Sequence, residues 1–379
     1  MQKIQIYNSF SNNKEQFIPL NSNKVKMYVC GVTPYDTSHL GHAFVFTFFD
    51  VVKRLLTYAG YDVTYVQNVT DIDDPLIERA EKLHTTSEAL ADKWTTYLLN
   101  DFNFLNIALP DHYVKASQEL DTMIQIITSL IEKKYAYIMN GNVYFSTQTF
   151  PNYMKLSKLD HSESLRISVE RGNDIKDPNK KNPLDFLLWK KSKDTEPKWS
   201  SPWSEGRPGW HIECTAMSTK YLGEQIDIHG GGADLLFPHH ESEIAQAEAY
   251  SGKSPFVKTW MHCAMVYLNG EKMSKSLGNL IYVQDLAKLY SANAIRYYIL
   301  THHYRKEWEY NEMDMILSAK KIISIETDLK DCKEQTEIID HKILDLCFDD
   351  FQIPDVLENM FTTNNLKQKK LLFTVLGFR

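Results

Sequence analysis

Two histidines, His39 and His42, stand three residues apart in the tetrapeptide HLGH, at the start of a helical apolar pattern, so both rings project to one side of a first turn. A helix N-terminus offers free N–H groups and partial positive charge, and two imidazoles there make a phosphate site. Gly41 between them leaves a flat ring or a ribose room to approach the backbone. The bland alternative is a pair of surface or packing histidines. A second set is EKMSKSLGN, Glu271 to Asn279, where Lys272 and Lys275 stand among small polar residues ahead of Gly278. Such a loop can carry ammonium groups onto the β and γ phosphates of a nucleotide, against the plain reading of a solvated charged turn. A third is HHESE, in which His239 and Glu243 share one helical face at i and i+4, a spacing that lets two side chains converge on a metal. Cys30 and Cys214 would complete a tetrahedral set for zinc; with no CxxC pair, a buried free thiol is the ordinary alternative for each. Cys263, Cys332 and Cys347 read as structural.

These residues need elements to position them. Val25 to Cys30 reads as a short strand, GVTPYDTS as a loop, His39 to Ala59 as a helix closed by Gly60, and Tyr61 to Thr70 as a second strand. Strand, helix, strand is a βαβ unit. It implies a parallel sheet covered by helices, with a ligand site at the carboxyl ends of the strands, where the loop after Cys30 begins. Ala80 to about Leu130 is mostly helical in pattern, and Glu170 to Asn182 is a polar stretch read as an exposed insertion. A helix over His211 to Leu222, a strand over Gln225 to His229 broken by Gly230, Gly231 and Gly232, and a helix over His239 to Tyr250 with Pro238 at its first turn suggest a second βαβ half. Beyond Ser291 the remainder reads as largely helical.

Composition narrows the class. The 379 residues carry 42 Lys+Arg against 49 Asp+Glu, a net charge of −7, with 43% apolar residues, which describes a globular protein of two or three domains. That acidity argues against a charge-driven nucleic-acid coat, although a local basic patch can still bind a polyanion. The longest apolar run, Ala43 to Phe49, is far short of the roughly 20 residues of a membrane span. The first residues hold no apolar signal-peptide core, and five widely spaced cysteines fit a reduced compartment, so the expectation is a cytoplasmic protein.

Taken together, HLGH, KMSKS about 230 residues later and the βαβ context resemble the two signatures of class I aminoacyl-tRNA synthetases. YVCG upstream of HLGH, TDIDD at Thr70 to Asp74, RPGWHIEC at Arg207 to Cys214 and DIHGGGADLLFPHHESEIAQ at Asp227 to Gln246 resemble the cysteinyl-tRNA synthetase family in particular, over about residues 25 to 310. The resemblance implies an α/β fold: a doubly wound, Rossmann-like parallel-sheet catalytic domain in two halves, 1–80 and 201–270, around a helical insertion at 81–200. A KMSKS and stem-contact region at 271–315 and a shortened helical region at 316–379 would follow. It further implies one zinc ion per chain, held by Cys30, Cys214, His239 and Glu243, and ATP with Mg2+. The implied partners are L-cysteine and tRNA(Cys), for a monomer with no membrane contact.

On that resemblance His39 and His42 would hold the ATP phosphates, and Lys272 and Lys275 the leaving pyrophosphate, Lys275 foremost. Gly41, Gly230, Gly231, Gly232 and Asp234 would line the adenosine site, with Asp234 as a hydroxyl or amine acceptor, and Thr70 and Trp210 would wall the amino-acid pocket. Zinc would favour a thiolate over the hydroxyl of serine by about 10⁴ to 10⁵, enough to make editing unnecessary. Family members continue into a helical domain and an anticodon-reading module, which the stop at Arg379 suggests is missing or reduced. Two further readings follow: a ligase of mycothiol biosynthesis joining cysteine to a glucosaminyl inositol, and a catalytically silent RNA- or cysteine-binding paralogue.

Overall fold

A computed structural model describes residues 3–273, 277–330 and 339–379; Lys275 and Cys332 lie outside the described residues. At its centre is a five-stranded parallel sheet in the order β11-β10-β3-β4-β5. Its strands are β3 (Lys24–Val32), β4 (Asp62–Val69), β5 (His112–Lys115), β10 (Ile226–Gly232) and β11 (Val257–Cys263). The α1 helix (Leu40–Tyr58) joins β3 to β4, and α7 (Glu241–Ser251) joins β10 to β11. The two βαβ halves therefore abut at β3 and β10, the reversal of strand order where α/β sheets open a crevice for ligands.

The alternation of side chains along β3 assigns each face of the sheet to a different task. Val25, Met27 and Val29 enter one core with α1 and the C-terminal helices, whereas Tyr28 and Cys30 enter the other, beneath α6 (Trp210–Leu222) and α7. That single period-two register aims the Cys30 thiol at the face carrying Cys214. On the first face, α1 buries Phe44, Phe48, Phe49, Val52 and Leu55, and the Phe49 ring lies over β10. A Cβ on Gly230 would stand 2.0 Å from Phe49 Cζ, so glycine here permits close packing. The glycine run does not end the strand, as its sequence suggested; β10 continues through Gly230 and Gly231 to Gly232, paired to β11 as far as Cys263.

Between the halves, α2 (Asp74–Lys82) and α3 (Ser87–Phe104) precede β5, and α4 (Leu120–Glu132) follows it. The next segment is an antiparallel sheet of β6 (Ala136–Met139), β7 (Asn142–Phe145), β8 (Phe186–Lys191) and β9 (Gly206–Pro208), with α5 (His161–Glu170) between β7 and β8. The expected helices of the insertion are therefore joined by a four-stranded sheet. Asn140 and Gly141, both at positive φ, make the two-residue turn that closes a hairpin.

An N-terminal hairpin of β1 (Gln5–Asn8) and β2 (Asn13–Gln16) packs beside β11, and β12 (Val266–Leu268), β13 (Glu271–Lys272) and β14 (Trp308–Glu309) form a small sheet. The short α8 (Val283–Leu286) leads to α9 (Ala292–Leu300), α10 (Glu312–Lys330), α11 (His341–Phe348), α12 (Ile353–Thr362) and α13 (Leu366–Val375). The fully buried Arg296 on α9 ties these helices to the sheet: it pairs with Asp50 of α1 and donates to the carbonyls of Leu105 (3.0 Å) and Leu376 (2.7 Å). Among the described residues no helix is long and apolar enough to cross a membrane.

Candidate active site

A cavity of about 450 Å³ opens at the carboxyl ends of β3 and β10. Cys30, His39, Gly41, His42, Thr70, Trp210, Cys214, Gly232, Asp234, His239 and Lys272 all line it. Gly230 and Gly231 do not; they lie within β10, the first against Phe49 and the second against Leu235 and His240. Glu243 is fully buried behind the wall.

His39 is the N-cap of α1 rather than a residue of its first turn, with extended backbone and Nδ1 accepting from Gly41 N at 3.1 Å. The His39 and His42 rings stack, with centroids 3.8 Å apart. A Cβ on Gly41 would come within 2.9 Å of the His39 ring, so glycine makes room for that ring. Just ahead, the Ser38 hydroxyl donates to Asp101 of α3, and burial lifts that carboxyl to about 6. Buried Asp101 thus supports the start of α1.

At the other end of the cavity lies a group of soft and borderline donors. Cys30 Sγ and Cys214 Sγ are 3.8 Å apart, and Glu243 Oε1 is 3.8 Å from Cys30 Sγ. His239 Nε2 is fully buried, 3.1 Å from Glu243 Oε1, and has no hydrogen-bond partner. The ligand atoms of these four residues all lie within 4.8 Å of one another. Two thiolates at about 2.3 Å from a tetrahedral zinc would be about 3.8 Å apart, so the spacing and the S2NO donor set fit zinc and do not suit the all-oxygen preference of calcium or magnesium. Burial pushes the Cys30 thiol and the Glu243 carboxyl well up and holds the His239 imidazole well below its usual range. A divalent cation would reverse the first two directions, because it binds thiolate, carboxylate and neutral imidazole.

A second combination, Cys30, His229, His240 and Glu243, is equally compact. Its two histidines do not line the cavity: His229 Nε2 is 2.9 Å from Glu243 Oε2, and His240, with Nε2 3.4 Å from Cys30 Sγ, is held at Nδ1 by His262 Nε2 at 2.8 Å, whose Nδ1 reaches Ser9 Oγ. His211 similarly approaches His239, Nδ1 to Nδ1, at 3.0 Å. These rings surround the four-residue group, as the outer partners that orient metal-binding side chains commonly do. Sequence reasoning missed all four: His211, His229 and His240 fall inside motifs read for their neighbours, and His262 falls in none. Their signal is an excess of histidine at strand ends and in the HH pair.

Beside this group, Trp210 stacks on His239 with centroids 4.4 Å apart, and Thr70 Oγ1 accepts from Asn68 Nδ2 at 3.1 Å. Across the mouth, Asp234 Oδ2 takes Lys272 Nζ at 3.3 Å and Arg171 Nη1 at 3.5 Å. Arg171 belongs to the polar stretch read as exposed insertion, and it lines the cavity.

The family described as tRNA synthetases class I (C) catalytic domain matches residues 16–320. The cysteine–tRNA ligase of Legionella pneumophila (strain Corby) is 46% identical over 365 residues, covering 94% of this chain and 79% of that one. That of Haemophilus influenzae (strain PittGG) is 43% identical over 367 residues, 94% of this chain and 78% of that one. Among solved structures, the methionyl-tRNA synthetase of Mycobacterium tuberculosis with methionyl-adenylate has a TM-score of 0.65 at 14% identity, covering 93% of this chain and 84% of that one, a likeness of fold alone. A doubly wound sheet with His39, His42 and Lys272 lining one cavity, and close likeness along most of the sequence, make this chain a member of the cysteine–tRNA ligase family of class I tRNA synthetases.

Proposed function

We propose that this chain activates L-cysteine with ATP to cysteinyl adenylate and transfers the cysteinyl group to the 3′-terminal ribose of tRNA(Cys). The observation that carries the reading is the placement of Cys30, Cys214 and His239, with Glu243 behind them, in the same cavity that His39, His42 and Lys272 line. A thiol selector and phosphate-handling groups would then act on one bound pair of substrates.

The substrate carboxylate is already a competent nucleophile, so the first step needs no side-chain base; positioning and charge stabilisation suffice. It attacks the α-phosphate, the bond to the bridging oxygen of the β-phosphate breaks, and pyrophosphate leaves with its Mg2+. His39 and His42 orient the phosphates from the end of α1. Lys272, together with Lys275 of the same motif, stabilises the charge gathering on pyrophosphate, and Asp234 accepts a hydroxyl or amine of the adenosine. Thr70 and Trp210 confine the amino acid so that its carboxylate faces the phosphates. Cys30, Cys214, His239 and Glu243 would hold one zinc, which when bound supplies a soft position suited to a thiolate and not to a serine hydroxyl. We take 1–80 and 201–270 as the catalytic halves around an insertion at 81–200, 271–315 as the KMSKS and stem-contact region and 316–379 as a helical region, in a cytoplasmic monomer.

The test is pyrophosphate exchange with cysteine or serine, followed by charging of tRNA(Cys) and measurement of bound metal. Cysteine-dependent exchange, charged tRNA and one zinc per chain are expected. Exchange that proceeds equally well with serine would remove the selector role, and uncharged tRNA despite exchange would remove the acceptor.

A further inference from the structure

We propose that Arg171 is a further phosphate-binding residue of this site, carried in from the insertion on a fixed helix end and parked on Asp234 beside Lys272. The proposal rests on the adenylating reading above and adds to it a contact for the ATP phosphates.

Three observations carry it. First, the backbone that presents Arg171 is locked. Arg171 is the C-cap of α5, Gly172 follows at φ +88°, Gly172 N donates to Val169 O at 3.0 Å and Asn173 N to Ser168 O at 2.9 Å. This pair of bonds is a Schellman motif, in which the residue after the cap must adopt a left-handed conformation that glycine accepts without strain. Asn173 then pins the following turn by donating to Ser168 Oγ at 3.2 Å and Pro183 O at 3.0 Å. A polar surface stretch seldom needs so exact an end, and here it delivers one long cation to the cavity wall.

Second, the contact it makes is loose. Arg171 and Lys272 share one carboxylate oxygen of Asp234 at 3.5 and 3.3 Å, longer than the roughly 2.7 to 2.9 Å of a tight charge-assisted bond. Arg171, Lys272 and Asp234 retain 33%, 35% and 29% of their side-chain exposure, so exchanging this pairing for another anion costs little. Asp234 is itself held close: its other oxygen lies where a Cβ on residue 232 would be, 2.6 Å away, and only glycine leaves it that place.

Third, the wall has an excess of positive charge. Among the described residues its fixed charges are Arg171, Lys272 and Asp234, two cations to one anion. A planar guanidinium with further donors matches two phosphate oxygens at once, whereas an ammonium engages them as a point charge. Insertion and KMSKS region thus approach the triphosphate from separate elements, with Asp234 as the resting partner of both.

The test uses the full chain with its metal, as wild type, Arg171→Ala and Arg171→Lys, in three assays: ATP binding by calorimetry without cysteine, cysteine-dependent pyrophosphate exchange, and single-turnover transfer from preformed adenylate to tRNA. In Arg171→Ala the Kd for ATP should rise about tenfold and exchange fall about 100-fold, the loss typical of removing one preorganised contact, with transfer within about twofold of wild type. Arg171→Lys should recover part of both losses. Should Arg171→Ala melt lower than wild type, Arg171→Gln, which keeps the first methylenes and a polar amide but not the charge, should show the same loss of ATP binding. Unchanged ATP binding, or a loss confined to the transfer step, overturns the proposal, the latter by assigning Arg171 to an RNA phosphate. If wild type binds ATP without cysteine-dependent exchange, the adenylating reading fails while the binding assay still decides on Arg171.

Discussion

The two ends of the cavity are built in opposite ways. At the thiol end the histidines and Glu243 are buried and brace one another: His239 by His211, Glu243 by His229, and His240 by His262 and Ser9. At the phosphate end the cations Lys272 and Arg171 are about one third exposed and make contacts of 3.3 and 3.5 Å to a single carboxylate. On the proposed function, the difference follows from what each end would do. Telling sulfur from oxygen depends on donors fixed in number and distance, which a dry, cross-braced cluster provides. Following charge from a triphosphate to a leaving pyrophosphate calls for groups that move with it, and a lightly held cation can.

The sharpest way to break this contrast is at the thiol end. Cys214→Ser should lose its zinc and at least about 10³ in kcat/KM for cysteine while narrowing the gap to serine, as read by metal analysis and exchange with each amino acid. Metal content and cysteine affinity equal to wild type would dismiss the ligand set. Next in size, His211→Ala removes a brace and not a ligand, and should weaken zinc binding by about 10- to 100-fold in a chelator competition. No change would mean that the histidine packing is incidental.

Between the ends, Gly230→Ala forces a methyl group into the Phe49 ring and should destabilise by about 1 to 3 kcal/mol, seen as a lower Tm, with Phe49→Leu restoring part of it. Failure of the second change to rescue the first would show that the strain lies elsewhere. The smallest effect is expected at Asp101, the buried support of the phosphate end. Burial raises this carboxyl from 3.8 to about 6, so the fold favours its neutral form. The stability this brings is present below about pH 4 and lost as pH rises toward 6. Asp101→Asn should therefore melt higher than wild type above pH 6, by on the order of 1 kcal/mol, and equally at pH 4. A gain that is the same at both pH values would refute the titration.

What was readable in the sequence was what depends on local spacing. The first βαβ unit, the start of α1 at His39 and the two-fold partition of Cys30 and Met27 between faces follow from periodicity over a few residues. The family motifs added residues brought together across 184 positions, such as Cys30 and Cys214, which no local pattern links. The outer histidines and Arg171 escaped because their role arises only when β10, β11, α6 and the end of α5 converge. The hairpin at Asn140 and Gly141 did carry a local signal, the paired turn residues, which the surrounding helical pattern outweighed. The glycines of β10 misled for a physical reason: next to an aromatic ring, a missing side chain extends a strand's usefulness and does not end it.

The buried Arg296 has a consequence for how the molecule comes into being. Its guanidinium reaches Asp50, 246 positions earlier, and the carbonyl of Leu376, 80 positions later. At synthesis rates of about 5 to 20 residues per second, the helix that carries His39 and His42 waits roughly 16 to 65 s on the ribosome for its last neighbours. Through that interval its apolar flank, destined for the core shared with α9 and α13, stays open to the solvent and to chaperones. Completion of the core on this side of the sheet is therefore one of the last events of the chain's synthesis.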